Sequence, residues 1–509
     1  MFDKFLLICC SVGLLIAIIL ELSNAPEKKS VGNGGVTFEK ILKSPNENWL
    51  TYSGDYAAKR YSPLNQVNVA NVNKLIPKWV YHVEEETSNL RVTPLVYDGI
   101  MYITNAYEIE ALDAASGQRL WYWRGPEWPE HWMNRGAALL DDKVFFITKN
   151  CVLVALDRKT GKLKWQKKYA DSEKGYYSTV APLALKDKII VGVSVGGENA
   201  KGFVGAFSPE DGKELWRFWT IPENSKLKGG AATWTTGSYD PKLNLLYWTT
   251  GSPKLDSKSE ILSQETFYSN SVLVLNHDSG QLRWSFQFMP YDAHHWDANE
   301  IPVLFDAYAG GKIYSFLGQA NRNGFFYLMD RVNGDFLLGM PFVKKMTWAR
   351  DLGSNGHPVE MPGMNGLWTK EKKGICPGLT GAANWMSPSF NPETKLFYVV
   401  TLESCDMERG DYFLRALDPL AGGQIKWEYK MPGPGSMYAG TVSTAGGLVF
   451  VGDDAGHLVG LDAVTGKKLW QFAMGSPIFA SPMTYSVNGK QYVAIAAGSN
   501  IFSFGLFSN

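Results

Sequence analysis

Several things are scarce in this chain of 509 residues. No Cys-x-x-Cys-His motif occurs, which excludes a covalently attached c-type haem on this chain. Neither sign of charge prevails: 50 lysines and arginines offset 50 aspartates and glutamates, for a formal net charge of zero. Charge therefore gives no argument for nucleic acid or an anionic membrane surface as partner. Only five cysteines are present, and two of them, Cys9 and Cys10, fall inside the one long apolar run, residues 5–20. No helical domain and no long linker stands out.

The apolar run follows Asp3 and Lys4. It is slightly short for a spanning helix and suits the apolar core of an export signal. Ser23 and Ala25 could serve a signal peptidase, whereas Pro26 directly after Ala25 favours a retained anchor. Ile8 before Cys9 is not small, which argues against a lipoprotein. Either way the body is expected outside the cytoplasm, in the periplasm, with membrane contact confined to the N-terminal segment. Residues 1–25 then form a signal peptide or anchor, 26–47 a linker and 48–509 the body. In an oxidising compartment Cys151, Cys376 and Cys405 predict one disulfide and one thiol left over.

Aromatics and glycine are plentiful: 18 Trp, 24 Tyr and 26 Phe accompany 51 Gly and 25 Pro. Aromatic strands cut by glycine turns read as an all-β chain. A repeat organises them. Ala111-Leu112-Asp113 leads through Gly117 to Trp121, and Ala155-Leu156-Asp157 through Gly161 to Trp165. Ala206-Phe207-Ser208 leads through Gly212 to Trp216, and Leu275-Asn276 through Gly280 to Trp284. Ala416-Leu417-Asp418 precedes Trp427, and Leu461-Asp462 leads through Gly466 to Trp470. Leu328-Met329-Asp330 with Gly334 lacks the Trp, and Trp79 ends a partial copy. Each copy reads as a strand, a turn whose amides bond the Asp and whose Gly takes positive φ, and a strand returning a Trp. Regular use of one large aromatic predicts Trp packed between neighbouring sheets. The spacing suits four-stranded propeller blades, eight in all. Strands at 491–497 and 501–506 are expected to close the ring with an early strand near Trp49 to Tyr52, which leaves no free sheet edge. Asn488-Gly489 predicts a hairpin turn. The stretch 354–381 reads as an insertion loop.

These copies resemble the tryptophan-docking repeats of quinoprotein alcohol dehydrogenases, over nearly the whole chain from about Asn48 to Gly498. The opening Trp49-Leu50-Thr51-Tyr52-Ser53-Gly54 and the close Gly446-Gly447-Leu448-Val449-Phe450 carry the same likeness. The resemblance implies an eight-bladed β-propeller that uses pyrroloquinoline quinone (PQQ) and a metal, usually calcium, to oxidise an alcohol or aldehyde. A planar tricarboxylate needs arginine and amide donors, and a hard cation needs oxygen ligands. By resemblance, Arg135 in Asn134-Arg135-Gly136 meets a cofactor carboxylate and Thr179 donates a hydroxyl. Gly196 and Gly197 lead into the metal ligand Glu198, and Trp234 floors the quinone. Asp297, in His295-Trp296-Asp297, is the implied base and a metal ligand. Arg322 stands near the quinone oxygens, Asn384 gives an amide contact, and Cys376 with Cys405 matches a disulfide pair. Electrons would pass to a separate cytochrome c.

The chain also departs from the pattern. Ser252 stands where the family has a metal-binding Asn, and by that resemblance it joins Glu198 and Asp297 as a metal ligand, while Arg91 stands where the family has a pocket acid. Ala232 and Val195 replace hydroxyl residues, and residues 128–132, with Trp128 and Trp132, fill the place of an adjacent cysteine pair. The Asp-x-Asp of lanthanide users reads Asp297-Ala298-Asn299, which favours calcium over a lanthanide. These substitutions define the rival reading: a cofactor-free propeller that serves as a binding or assembly scaffold. His294 and His295 are adjacent on extended chain and read as loop residues rather than a metal pair. Cys151 reads as a buried strand thiol.

Overall fold

The Ala-Leu-Asp motif sets the geometry of each repeat. In the computed structural model it ends the third strand of a sheet, as in Glu108–Asp113, Val152–Asp157 and His457–Asp462. Asp113 Oδ1 accepts from the amides of Ala115 and Ser116, and Asp157 Oδ1 from those of Lys159 and Thr160. Gly117, Gly161 and Gly466 take φ of +75°, +69° and +72°. The fourth strand then returns the Trp opposite the motif's first residue: Trp121 opposite Ala111, Trp165 opposite Ala155, Trp427 opposite Ala416.

Each Trp docks on the next sheet. Nε1 of Trp79, Trp121, Trp165, Trp216 and Trp427 donates to the carbonyl of Ala114, Arg158, Pro209, His277 and Ala463, each the residue after a motif. The indole covers that motif's turn glycine where the repeat has one. A Cβ on Gly161 would lie 2.6 Å from Trp121 Cε3, at a φ that side chains rarely adopt. Gly161→Ala is therefore expected to cost about 1–3 kcal/mol, from strain and overpacking together, read as a lowered urea midpoint. In the copy without Trp, Leu338 takes the position opposite Leu328.

The structure describes residues 34–43, 47–83, 89–126, 133–197, 199–222, 224–225, 229–254, 268–290, 292, 294–362, 374–405, 410–433 and 439–507. The apolar run and its cleavage site lie outside them. Seven sheets follow in chain order, at 95–124, 138–168, 183–219, 238–287, 303–341, 389–430 and 441–473, each built of four antiparallel strands that pair in the order of the chain. The sheet at 441–473 gains the parallel pair Tyr61–Ser62 on its inner edge. The eighth blade combines Met483–Val487, Lys490–Ala497 and Asn500–Leu506 with Leu75–His82 as its outer strand.

The ring therefore closes through Leu75–His82 and not through a strand near Trp49 to Tyr52. Trp49 instead makes an isolated bridge to Val96. The reason is the docking register: Trp79 must lie on the outer strand to reach Ala114 and Gly117 of the first blade. The expected turn at Asn488-Gly489 forms, with φ of 53° and 71° between Val487 and its partner Lys490. Residues 34–43 fall in the stretch read as linker, yet they pack on the body. Val36 pairs with Asp141, and the short helix Phe38–Leu42 buries Ile41 and sets Phe38 against Tyr56. A small hairpin pairs Ala349–Leu352, just before the stretch read as an insertion, with Pro358–Glu360 inside it. Cys376 and Cys405 form a disulfide; Cys151 is free and buried in the turn before Val152, not in the strand, and burial pushes its thiol up to about 12.

Candidate active site at the propeller axis

In a four-stranded blade the entry to the first strand and the loop between second and third strands lie at the same end. Such segments from successive junctions supply the walls of one cavity of about 820 Å³. Arg91 precedes the first blade, Arg135 the second, Thr179 the third, Trp234 the fourth, Asp297 the fifth and Trp385 the sixth; Val195, Ser252 and Arg322 come from second-to-third-strand loops. Segments from six consecutive junctions can share a cavity only where the blades converge, on the propeller axis. Two short ladders shape its wall: Tyr176–Tyr177 with Ser194–Val195, and Gly229–Gly230 with Pro253–Lys254.

One wall is a cluster of arginine and tryptophan. Arg135 is buried, 1 % exposed, and its guanidinium lies 4.9 Å from the Trp234 ring and 4.8 Å from that of Trp385. Nη1 donates to Thr179 Oγ1 at 2.5 Å and to the carbonyls of Thr179 and Trp234. Nε has no partner, and no carboxylate pairs with this arginine among the described residues. Burial lowers its pKa to about 10. A buried guanidinium without a counter-charge is costly, and an anion in the cavity would relieve it.

The same cavity also holds an acid. Asp297 Oδ1 accepts from the Ser252 amide at 2.6 Å, and Oδ2 lies 3.6 Å from Arg322 Nη1. Arg322 is fixed by the carbonyls of Thr380 and Leu379. The chain at Gly251 passes so close that a Cβ there would sit 2.7 Å from Asp297 Oδ1. The Asp297 side chain keeps 30 % exposure, so it can reach a bound molecule.

Behind Asp297 lies Glu300, 4 % exposed, with Oε2 unpartnered. Burial raises its carboxyl to about 8, from an ordinary 4.5. The acid is therefore neutral in the folded protein near pH 7. Between those two values the unfolded chain releases this proton while the native protein keeps it, so Glu300 favours folding at low pH and that contribution is lost as pH rises through 8. Glu300→Gln is expected to remove a slope of up to about 1.4 kcal/mol per pH unit from the stability profile, measured by urea unfolding across pH 5 to 8 in parallel with the parent.

Arg135, Thr179, Gly196, Gly197, Trp234, Ser252, Asp297 and Arg322, all singled out in the sequence, line this cavity together. Asn384 does not: its Nδ2 donates to Thr380 and its Oδ1 accepts from the Trp385 amide, while Trp385 itself forms the wall. Ser252 reaches the cavity but spends its hydroxyl hydrogen elsewhere. Oγ donates to Asp292 Oδ2 at 2.5 Å, and Asp292 is held by the amides of Asn270 and His294. The bond to Asp292 uses only the hydroxyl hydrogen, so the oxygen keeps its lone pairs and Ser252 stays a candidate ligand. Glu198 and residues 127–132 lie outside the described residues. Sequence reasoning passed over Tyr177, Ser194, Lys254, Trp385, Asp292 and Glu300. Of these only Trp385, next to Asn384, carried a signal. His294 stacks on Trp296 at 4.3 Å as a loop residue, and His295 turns to the cavity.

Fold and pocket define a propeller enzyme with its site on the axis. Comparison with known proteins names the kind. The beta-propeller domain family of PQQ-linked glucose, ethanol and alcohol dehydrogenases matches residues 49–345 and 419–493. The quinoprotein alcohol dehydrogenase PedH of Pseudomonas putida is 35% identical, over 95% of this chain and 92% of its own. A lanthanide-dependent methanol dehydrogenase of Methylacidiphilum fumariolicum is 31% identical, over 90% and 86%. The solved structure of quinohemoprotein alcohol dehydrogenase ADHIIG from Pseudomonas putida superposes with a TM-score of 0.86 at 28% identity, over 93% of this chain and 82% of that one. The chain belongs to the PQQ-dependent quinoprotein alcohol dehydrogenases, enzymes that oxidise small-molecule alcohols.

Proposed function

We propose that this enzyme works in the periplasm, oxidises an alcohol or aldehyde with Asp297 as base, and passes electrons to a separate cytochrome c. The observation that carries the site assignment is Arg135, a buried guanidinium without a carboxylate, set between two indoles in the cavity that Asp297 also lines. PQQ is planar and carries three carboxylates, and the residues present fit it. Trp234 gives a flat floor, and the cavity-lining guanidinium groups of Arg135 and Arg322 give donors. The rival reading of a cofactor-free scaffold leaves the buried charge of Arg135 without a purpose.

The metal assignment rests on fewer groups. Asp297 offers oxygen donors, as a hard cation requires, and Glu198, two residues past the cavity-lining Gly196, would be its partner. Ser252 would add a hydroxyl oxygen, a weaker donor, whose hydrogen already goes to Asp292. Asn299 supports calcium over a lanthanide: it presents a neutral amide, with both polar atoms unpartnered, where lanthanide users have a second aspartate.

Bound in this cavity, PQQ would supply the two-electron acceptor for alcohol oxidation and a hard cation the Lewis acidity. The protein's own part is to take the hydroxyl proton at an Asp297 carboxylate oxygen. The amide of Ser252 holds that carboxylate in place from one side and Arg322 from the other. Trp234 and Trp385 exclude water from the buried side of the cavity.

Reconstitution tests the proposal. The purified chain, given PQQ and excess calcium, is expected to bind the quinone stoichiometrically and to reduce a dye in the presence of primary alcohols. Absence of quinone binding with calcium and with a lanthanide alike would overturn it. Reduction of a purified cytochrome c in place of the dye tests the acceptor, and fractionation of expressing cells tests the location.

A further inference from the structure

Four cations line the cavity, Arg91, Arg135, Lys254 and Arg322, against a single carboxylate among the described lining residues, Asp297. They are not spread evenly. Arg322 belongs with Asp297 and Ser252. Arg91 belongs with Arg135: their guanidinium carbons lie 5.3 and 4.8 Å from the centre of the same Trp385 ring. Arg91 is held further by Phe479 at 5.4 Å and by a bond from Nη1 to Met133 Sδ. Two like charges on one indole repel, and Arg91 adds to the burial that depresses Arg135. Aromatic faces offset such repulsion only in part, at about 0.5–2 kcal/mol each. An anion shared by both guanidinium groups resolves it.

We propose that Arg91 is a second carboxylate anchor for the quinone cofactor, acting with Arg135 across Trp385. The inference rests on the function proposed above. It commits to the cofactor as the source of the carboxylate because Arg91 shares the Trp385 ring with Arg135, the residue assigned to the cofactor, whereas the cation paired with Asp297 is Arg322. The substitution of arginine for the acid that resembling enzymes carry at this position then converts a repulsive neighbour of the tricarboxylate into a binding group. A substrate carboxylate is the other source of the same chemistry, and it is separated below.

The experiment is a binding titration of PQQ, in saturating calcium, into the purified full chain and its Arg91→Gln and Arg91→Lys variants, followed by quenching of tryptophan fluorescence. Arg91→Gln is expected to raise Kd about tenfold or more, as loss of a charge-assisted bond does, and to weaken the dependence of Kd on salt. Arg91→Lys is expected to recover part of the affinity, and it supplies the reading should the glutamine variant not fold. A Kd for Arg91→Gln within about twofold of the parent overturns the proposal alone, since the parent's binding shows the function reading intact. An unchanged Kd with KM raised for 4-hydroxybutanoate and not for 1-butanol also overturns it, assigning Arg91 to a substrate carboxylate. Absence of PQQ binding by the parent overturns it together with the function reading.

Discussion

Asp297→Asn is expected to lower kcat for alcohol oxidation by roughly 10²–10⁴-fold, the range for loss of a general base. The asparagine keeps an oxygen for the Ser252 amide, which now donates to Asp297 Oδ1 at 2.6 Å, so the loop need not move. It removes the negative charge that faces Arg322 and the site that takes the proton. Because Asp297 is also a proposed metal ligand, the comparison is made at saturating quinone and calcium, with occupancy read from the absorption spectrum. A kcat loss at full occupancy assigns the base to Asp297. Full occupancy with kcat unchanged would assign proton removal to another group, with the His295 imidazole on the same cavity a described alternative. Glu300 is no substitute: it is buried and its carboxyl is held neutral near pH 7, so it cannot take the hydroxyl proton.

The blade architecture was readable because each repeat is nearly self-contained. Asp113, Gly117 and Trp121 lie within nine residues, and their bonds are local or go to one neighbouring blade. Ring closure was not readable from the same signals. Trp49 and Trp79 both sit near the start, and only the docking of Trp79 on Ala114 decides which strand joins the last blade. The site follows the same division. Arg135, Trp234, Asp297 and Arg322 fall in junctions and loops whose place follows from the repeat. The Asn384 assignment missed by one position, because a turn that bonds its own amide to Thr380 faces Trp385 to the cavity. The link from Ser252 to Asp292 joins residues 40 apart through a side-chain bond that no periodicity encodes. The raised carboxyl of Glu300 arises from burial among loops, which composition does not reveal.

Arg60 carries the largest expected effect on stability. It lies in the segment that runs from the first bridge at Trp49 to the strand pair Tyr61–Ser62, and it is fully buried. Nε donates to the Thr441 carbonyl at 2.9 Å, Nη1 to that of Tyr52 at 2.7 Å and Nη2 to that of Pro482 at 2.7 Å. One side chain thus ties the entry of the seventh blade, the entry of the eighth and the N-terminal segment. No carboxylate among its bonds repays the desolvation, which lowers its pKa to about 10, and Trp49 at 5.3 Å and Tyr52 at 5.8 Å supply only aromatic faces. Arg60→Met keeps much of the volume but leaves three carbonyls without this donor, at about 1–3 kcal/mol each, less the relief of a buried charge. A net loss of about 3–5 kcal/mol is expected, read as a lowered urea midpoint. Arg60→Lys should fall between, because an ammonium cannot span three acceptors held in the planar fork of a guanidinium. A methionine variant as stable as the parent would mean that the three carbonyls find other donors, and that the N-terminal segment is held by its strand pairing and by Trp49 rather than by this arginine.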